Sequence, residues 1–250
     1  MNPPFEGVAG APAGDDPNTV SLSDEEGVKE ILQQTVLGLW GIVNTLTRLR
    51  PTRHERYRVT IFGSARVEEG SEAYEQAKRV AAELTGMGCD ILTGGGPGFM
   101  QAANEGAASV EGDGRSVGIR VELPFEQEVN PFVTAAYEHQ TFFTRLHHFV
   151  LASDAFIVAP GGIGTALETF MVWQLLQVHH LRELPLILVG PMWPDLVEWV
   201  RKHMVEAETP LVSPEDLDIP ECVADADGAI AALKVHHAAW VAAGGGKSES

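Results

Sequence analysis

Cysteine, lysine and long apolar runs are all scarce in this chain, and each shortage removes a class of protein. Two cysteines in 250 residues, Cys89 and Cys222, leave no disulfide framework of the kind that staples small secreted folds. Cys89 stands just ahead of Ile91-Leu92 and reads as a small core residue. Basic residues number 17 against 35 acidic ones, a formal net charge of -18. Such a balance argues against a long polyanion such as DNA or RNA, which is held by lysines and arginines that neutralise phosphates. No apolar segment reaches the roughly 18 residues that a membrane span needs. The start Met1-Asn2-Pro3-Pro4-Phe5-Glu6 lacks the basic and apolar regions of a signal peptide, so the expected compartment is the cytoplasm. Neither nucleic acid nor membrane is expected as a partner.

What is present is the composition of a globular protein, 44% hydrophobic and 21% charged, long enough to bury a full core. The acid concentrates in Asp15 to Glu30 and Glu206 to Asp227, which read as solvated surface and tails. A mononucleotide therefore stays open as a ligand, since one phosphate needs only a few N–H groups and an arginine. The organisation expected is a disordered tail over 1–22, a single domain over 23–242 and a flexible tail over 243–250. The tail contains Gly-Lys-Ser, the close of a P-loop motif, but no helix is expected after it to complete one. Ser23 with Glu26 forms a capping box that opens a helix over 23–49. Its apolar side, with Ile31, Leu32, Leu39, Trp40 and Val43, requires a surface to cover.

After Pro51 short apolar strands alternate with helical stretches. Strands are expected over 57–63, 90–93, 117–123, 155–159 and 185–189, and helices over 71–87, 98–109, 141–152, 165–178, 193–204 and 225–241. The alternation predicts an α/β fold, a Rossmann-like doubly wound parallel sheet with helices on both faces, plus the extra N-terminal helix. In such a sheet ligands bind at the carboxyl ends of the strands.

Three of those ends carry glycine loops. Gly63-Ser64-Ala65-Arg66 follows the first strand, and Thr93-Gly94-Gly95-Gly96-Pro97-Gly98 follows the second and opens a helix. Pro160-Gly161-Gly162-Ile163-Gly164-Thr165-Ala166-Leu167-Glu168 follows the run Ala155 to Ala159. A strand that ends in glycines and restarts as a helix aims free N–H groups and the positive end of a helix dipole at one place. One such loop can be a mere turn; three together favour a nucleotide-sized ligand. Gly94, Gly96 and Gly98 do not match a dinucleotide fingerprint, and no Walker lysine follows. The five lysines, Lys29, Lys78, Lys202, Lys234 and Lys247, all lie outside the glycine loops.

These residues, with Met100-Gln101-Ala102-Ala103-Asn104, Leu123-Pro124-Phe125-Glu126-Gln127 and Asn130, resemble the LOG family over about 57 to 190. Members are cytokinin riboside 5′-monophosphate phosphoribohydrolases and related nucleotide 5′-monophosphate nucleosidases, often labelled lysine decarboxylase. The resemblance implies a homodimer with the site near the subunit interface, and hydrolysis of the N-glycosidic bond of a nucleoside 5′-monophosphate, AMP or an N6-modified AMP, to free base and ribose 5-phosphate. It places Glu168 and Arg145 as catalytic residues, Gly161, Gly162, Gly164 and Thr165 on the 5′-phosphate, and Gly95 and Gly96 along the sugar and phosphate. No cofactor and no metal are expected. A pyridoxal-phosphate decarboxylase needs a pocket lysine for its Schiff base, and the loops offer none.

Ser64 and Arg66, in the first loop, and Arg120 are further phosphate candidates, the two arginines alternatively neutralising surface acid. The pairs His147-His148 and His179-His180 point about 100° apart on a helix and read as helix surface or interface rather than metal ligands. Met100, Met171 and Trp173 are expected to pack, with an adenine-facing role as the lesser alternative. The chain departs from the family pattern at Leu146, where Lys is usual, at Leu167, where Glu is common, and at Gln101, where a related branch has Glu. A non-catalytic nucleotide or cofactor carrier, similar to the molybdenum-cofactor carriers that share this fold, stands as the alternative. A third reading makes the 23–49 helix a docking element for another protein.

Overall fold

A computed structural model of the chain describes residues 24–46, 55–121, 129–181 and 184–245. Contacts divide it into two units, Met1–Arg50 and Pro51–Ser250. The first holds α1 (Glu25–Leu46), whose opening is capped by Asp24: its Oδ1 accepts from the Gly27 N–H at 3.1 Å. That displaces the expected capping box by one residue, since a carboxylate directly before the helix reaches its orphan N–H groups well. Ser23 and residues 47–49 lie outside the described residues, as do the tails over 1–22 and 246–250. Ile31, Leu32, Val36 and Leu37 of α1 are exposed.

The second unit is one parallel sheet of seven strands in the order β4-β3-β2-β1-β5-β6-β7. The strands are β1 (Arg58–Phe62), β2 (Asp90–Thr93), β3 (Ser116–Val121), β4 (Ala135–His139), β5 (Ala155–Val158), β6 (Leu186–Val189) and β7 (Pro220–Val223). The helices between and after them are α2 (Glu72–Gly86), α3 (Phe99–Ala108), α4 (Phe142–Ala152), α5 (Ile163–Gln177), α6 (Met192–Val200) and α7 (Ala226–Ala242). Thr60 of β1 sits opposite Leu92 of β2 and Phe156 of β5, so the strands on either side of β1 were reached in opposite directions along the chain. Such an order leaves a crevice beyond the carboxyl ends of β1 and β5, where doubly wound sheets take their ligands.

Both faces of the sheet are covered. Phe62, Phe156, Val158 and Leu188 pack with Phe149, Val172 and Trp193 under α4, α5 and α6. Val59, Ile61, Ile157 and Ile187 pack with Leu84, Ala103 and Ile230 under α2, α3 and α7. Strands buried on both sides read as unbroken apolar runs, which is why β1, β2, β3, β5 and β6 were legible. The two that were not, β4 and β7, are the sheet's edges. Ala135-Ala136-Tyr137-Glu138-His139 is largely exposed and Pro220-Glu221-Cys222-Val223 starts with proline, both common on edge strands.

Candidate functional site

The three glycine loops meet at the β1/β5 crevice. The Phe99 N–H donates to Ser64 O at 3.0 Å, and the Ser64 N–H donates to Pro160 O at 3.1 Å, joining all three loops through their backbones. Gly98, with φ +68°, lets the second loop turn against the first; a Cβ there would strike the backbone of Ser64 and Ala65. Behind the second loop lies a buried polar network that the sequence did not disclose. Thr93 Oγ1 donates to Asn104 Oδ1 at 2.6 Å and accepts from the Gly95 N–H at 2.9 Å. Asn104 Nδ2 donates to Ser116 Oγ at 2.8 Å, and Asn130 Nδ2 lies 2.9 Å from Asn104 Oδ1 and 3.0 Å from Gly96 O. Satisfied networks of this kind fix a loop in one conformation.

Helix α5 begins at Ile163 behind Gly162, which offers no side-chain cap. The N–H groups of Ile163, Gly164 and Thr165 therefore have no acceptor within the helix and open at the crevice. Beside them is a cleft of about 540 Å³ lined by Gly63, Ser64, Ala65, Arg66, Met100, Arg145, Gly162, Ile163, Gly164, Thr165 and Glu168.

One turn into α5, Glu168 faces Arg145 of α4, with Oε1 and Nη1 3.5 Å apart. Arg145 is fixed from behind: its Nε donates to Ile119 O of β3 at 2.9 Å and its guanidinium lies 5.3 Å from the centre of the Phe149 ring. Both side chains are nearly buried, 13% exposed for Arg145 and 12% for Glu168. Burial pushes the Glu168 carboxyl up to about 7, although Arg145 pulls it the other way. A carboxyl that exchanges its proton near neutrality suits general acid or base work.

Of the residues expected at a site, Ser64, Arg66, Arg145, Gly162, Gly164, Thr165 and Glu168 line this one cleft. Gly95, Gly96, Gly161 and Arg120 do not line it. Gly161 turns the chain against the Thr165 side chain, and Arg120 stands beside Gly95 on β3. Met100, expected to pack, lines the cleft wall, while Trp173 is buried and Met171 is partly buried against the core. Leu146 points into the core at 8% exposure and Leu167 outward at 51%, so neither departure from the family pattern touches the cleft of a single chain. The segment Leu123 to Gln127 lies outside the described residues.

His148 is not on open helix surface: its Nδ1 lies 2.9 Å from His139 Nε2, on the edge strand β4 that sequence reading missed. Among the described residues no three His, Cys, Asp or Glu side chains gather as a metal would require. No helix among them is long and apolar enough to cross a membrane.

Comparison with known proteins agrees in family and in fold. The family described as possible lysine decarboxylase matches residues 100–233. A pyrimidine/purine nucleotide 5′-monophosphate nucleosidase of Escherichia coli K12 is 32% identical over 141 residues, 53% of this chain and 31% of the relative. A cytokinin riboside 5′-monophosphate phosphoribohydrolase of Mycobacterium tuberculosis is 32% identical over 124 residues, 48% of this chain and 64% of the relative. The chain thus spans under two thirds of either relative's length. The molybdenum cofactor carrier protein of Chlamydomonas reinhardtii superposes with a TM-score of 0.55 at 22% identity, over 73% of this chain and 99% of the carrier, a likeness of fold.

Proposed function

The chain belongs to the LOG family, the family that also bears the description possible lysine decarboxylase, and from that premise we propose that it hydrolyses the N-glycosidic bond of a nucleoside 5′-monophosphate of the AMP type. The observation that carries the reading is the Arg145–Glu168 pair beside the uncapped start of α5, in one cleft.

The 5′-phosphate rests on the N–H groups of Ile163, Gly164 and Thr165, with the helix dipole and Arg66 adding positive potential. The ribose then lies toward Glu168. As the bond from C1′ to the base nitrogen lengthens, positive charge builds on the sugar, and the ionised Glu168 carboxylate stabilises it. Water attacks C1′ and gives a proton to Glu168; the base leaves with the bonding pair and takes that proton from Glu168, which returns to its ionised form. Arg145 holds the carboxylate in place and favours its ionised form. Decarboxylation through pyridoxal phosphate fits the cleft poorly, since no lysine lines it among the described residues.

The reading extends to assembly as a homodimer. Helix α5 buries Val172, Trp173 and Leu176 yet also exposes Ile163, Leu167 and Phe170 at i, i+4 and i+7, with Phe143 of α4 80% exposed. A helix apolar on both sides needs a cover on both, and this outer face adjoins the cleft.

The test is a panel of nucleoside monophosphates incubated with the wild type and with Glu168→Ala. Free base and ribose 5-phosphate are expected from at least one member, with a loss of about 100-fold or more in the variant. If no monophosphate yields base, or if ligands bind tightly without turnover, the hydrolase reading is wrong.

A further inference from the structure

On the side of the sheet covered by α2, α3 and α7 lies a second cavity, of about 610 Å³. It is a different space from the cleft: the two share no lining residue, and neither Arg145 nor Glu168 lines it. Its floor is hydrocarbon, formed by Ile61, Ala77, Val80, Phe99, Ile157 and Val189. A surface depression of this volume falls within the range of small-molecule sites.

The mouth lies between the first turn of α2 and the turn into α7, and its polar side chains differ from the floor in kind. Ser71 is spent, its hydroxyl donating to Glu68 O and accepting from the Tyr74 N–H. Asp225 uses Oδ1 to cap α7 through the Gly228 N–H at 3.0 Å. Glu72 and Gln76 have no hydrogen-bond or ion-pair partner among the described residues, and no lysine or arginine lines the mouth. The nearest basic side chains of α2 are engaged, Arg79 with Asp227 at 2.7 Å and Lys78 with Glu105 at 2.6 Å. The mouth thus presents acid and amide acceptors over an apolar chamber.

We propose that this cavity is a second binding site, for a small apolar molecule that carries a protonated amine. The hydrocarbon fills the chamber over Ile61, Ile157 and Val189, and the ammonium group sits among Glu72, Gln76 and Asp225. Burial of the apolar body supplies most of the affinity, because an ion pair at an open mouth adds little.

The probe is naphthylethylamine, titrated into the full chain by calorimetry and followed by amide chemical shifts, with naphthylethanol and naphthylacetate as its neutral and anionic counterparts. The amine is expected to bind with a Kd of about 1 mM or tighter, the level that roughly a dozen non-hydrogen atoms support. The alcohol binds a few-fold more weakly and the acetate weakest. Ala77→Phe, which fills the chamber, abolishes binding; if that variant does not fold, Ala73→Phe at the exposed mouth and Glu72→Lys take its place and weaken binding at least about tenfold. Glu168→Gln leaves the affinity unchanged, which separates this site from the cleft and makes the result independent of any hydrolysis. Absence of binding, equal binding of the acetate, retention in folded filled variants, or loss in Glu168→Gln would each overturn the proposal.

Discussion

Replacing Glu168 by glutamine should make the protein more stable in alkali than the wild type, by an amount the structure sets. On folding, the carboxyl moves from its ordinary value of 4.5 to about 7, because the side chain leaves water for a nearly buried position in the cleft wall. Below pH 4.5 the folded and unfolded states both hold the proton, and the full contribution is present. Between 4.5 and 7 the unfolded chain releases the proton while the folded one keeps it, so stability drains away as pH rises. Above 7 the contribution is gone, and an ionised carboxylate sits in the cleft. At 1.36 kcal/mol per pKa unit the whole change amounts to about 3 kcal/mol. Glutamine keeps the shape and has no proton to lose, so the other titrating groups cancel when the two proteins are compared. The assay is urea unfolding of wild type and Glu168→Gln at pH 4.5, 6, 7 and 8.5. The stability difference should move by about 3 kcal/mol in favour of the variant from the lowest to the highest pH. In thermal melts this corresponds to roughly 6–12 °C for a chain of this length. A difference that stays flat across the range, or that moves against the variant as pH rises, would refute the reasoning and with it the poised carboxyl.

Turnover of the best monophosphate should rise with pH through about 7, as Glu168 ionises, and level off above it; a pH–rate profile that falls through 7 assigns the proton the opposite role. Gly94→Ala should lose turnover by about tenfold or more, because the new methyl collides with the Arg145 Nη2 and Met100 Sδ atoms and pushes the guanidinium off its anchored position beside Glu168; stability and steady-state kinetics measured together test this. Asn104→Ala takes one buried hydrogen bond from each of Thr93, Ser116 and Asn130 and should cost about 2–3 kcal/mol in a denaturant titration. Phe143→Glu should leave the melting curve near that of wild type and shift the mass in light scattering to that of a single chain.

How much of this could be read from the chain alone depends on where the information lies. The central strands and the three glycine loops are local statements, an apolar run followed by residues that free the backbone, and they were readable as such. Glu168 was visible because it sits a fixed turn beyond its loop. The upward shift of the Glu168 pKa was not, since it comes from burial beneath elements distant in sequence. The same holds for the grip on Arg145, whose partners Ile119 and Phe149 belong to β3 and to the next turn of α4. Asn104 and Asn130 stood in the motifs, but nothing in their spacing says that they meet 2.9 Å apart under a loop. Edge strands β4 and β7 escaped because a strand half in water has no need of an apolar run. His139 escaped with β4, and so the partner of His148 did too.

The pair of backbone hydrogen bonds that runs from Phe99 through Ser64 to Pro160 has a consequence for how the protein comes apart. Its three participants are contributed by segments spread across nearly a hundred residues, and the cleft has no floor until all three are in register. No fragment that stops short of β5 can hold a ligand weakly; it holds none. Local fraying of any one loop empties the cleft as completely as global unfolding does. A molecule seated there therefore reports on the cooperative unit as a whole, and saturating the cleft should raise the free energy of unfolding by the full linkage term, about 2.7 kcal/mol at a hundred times its Kd.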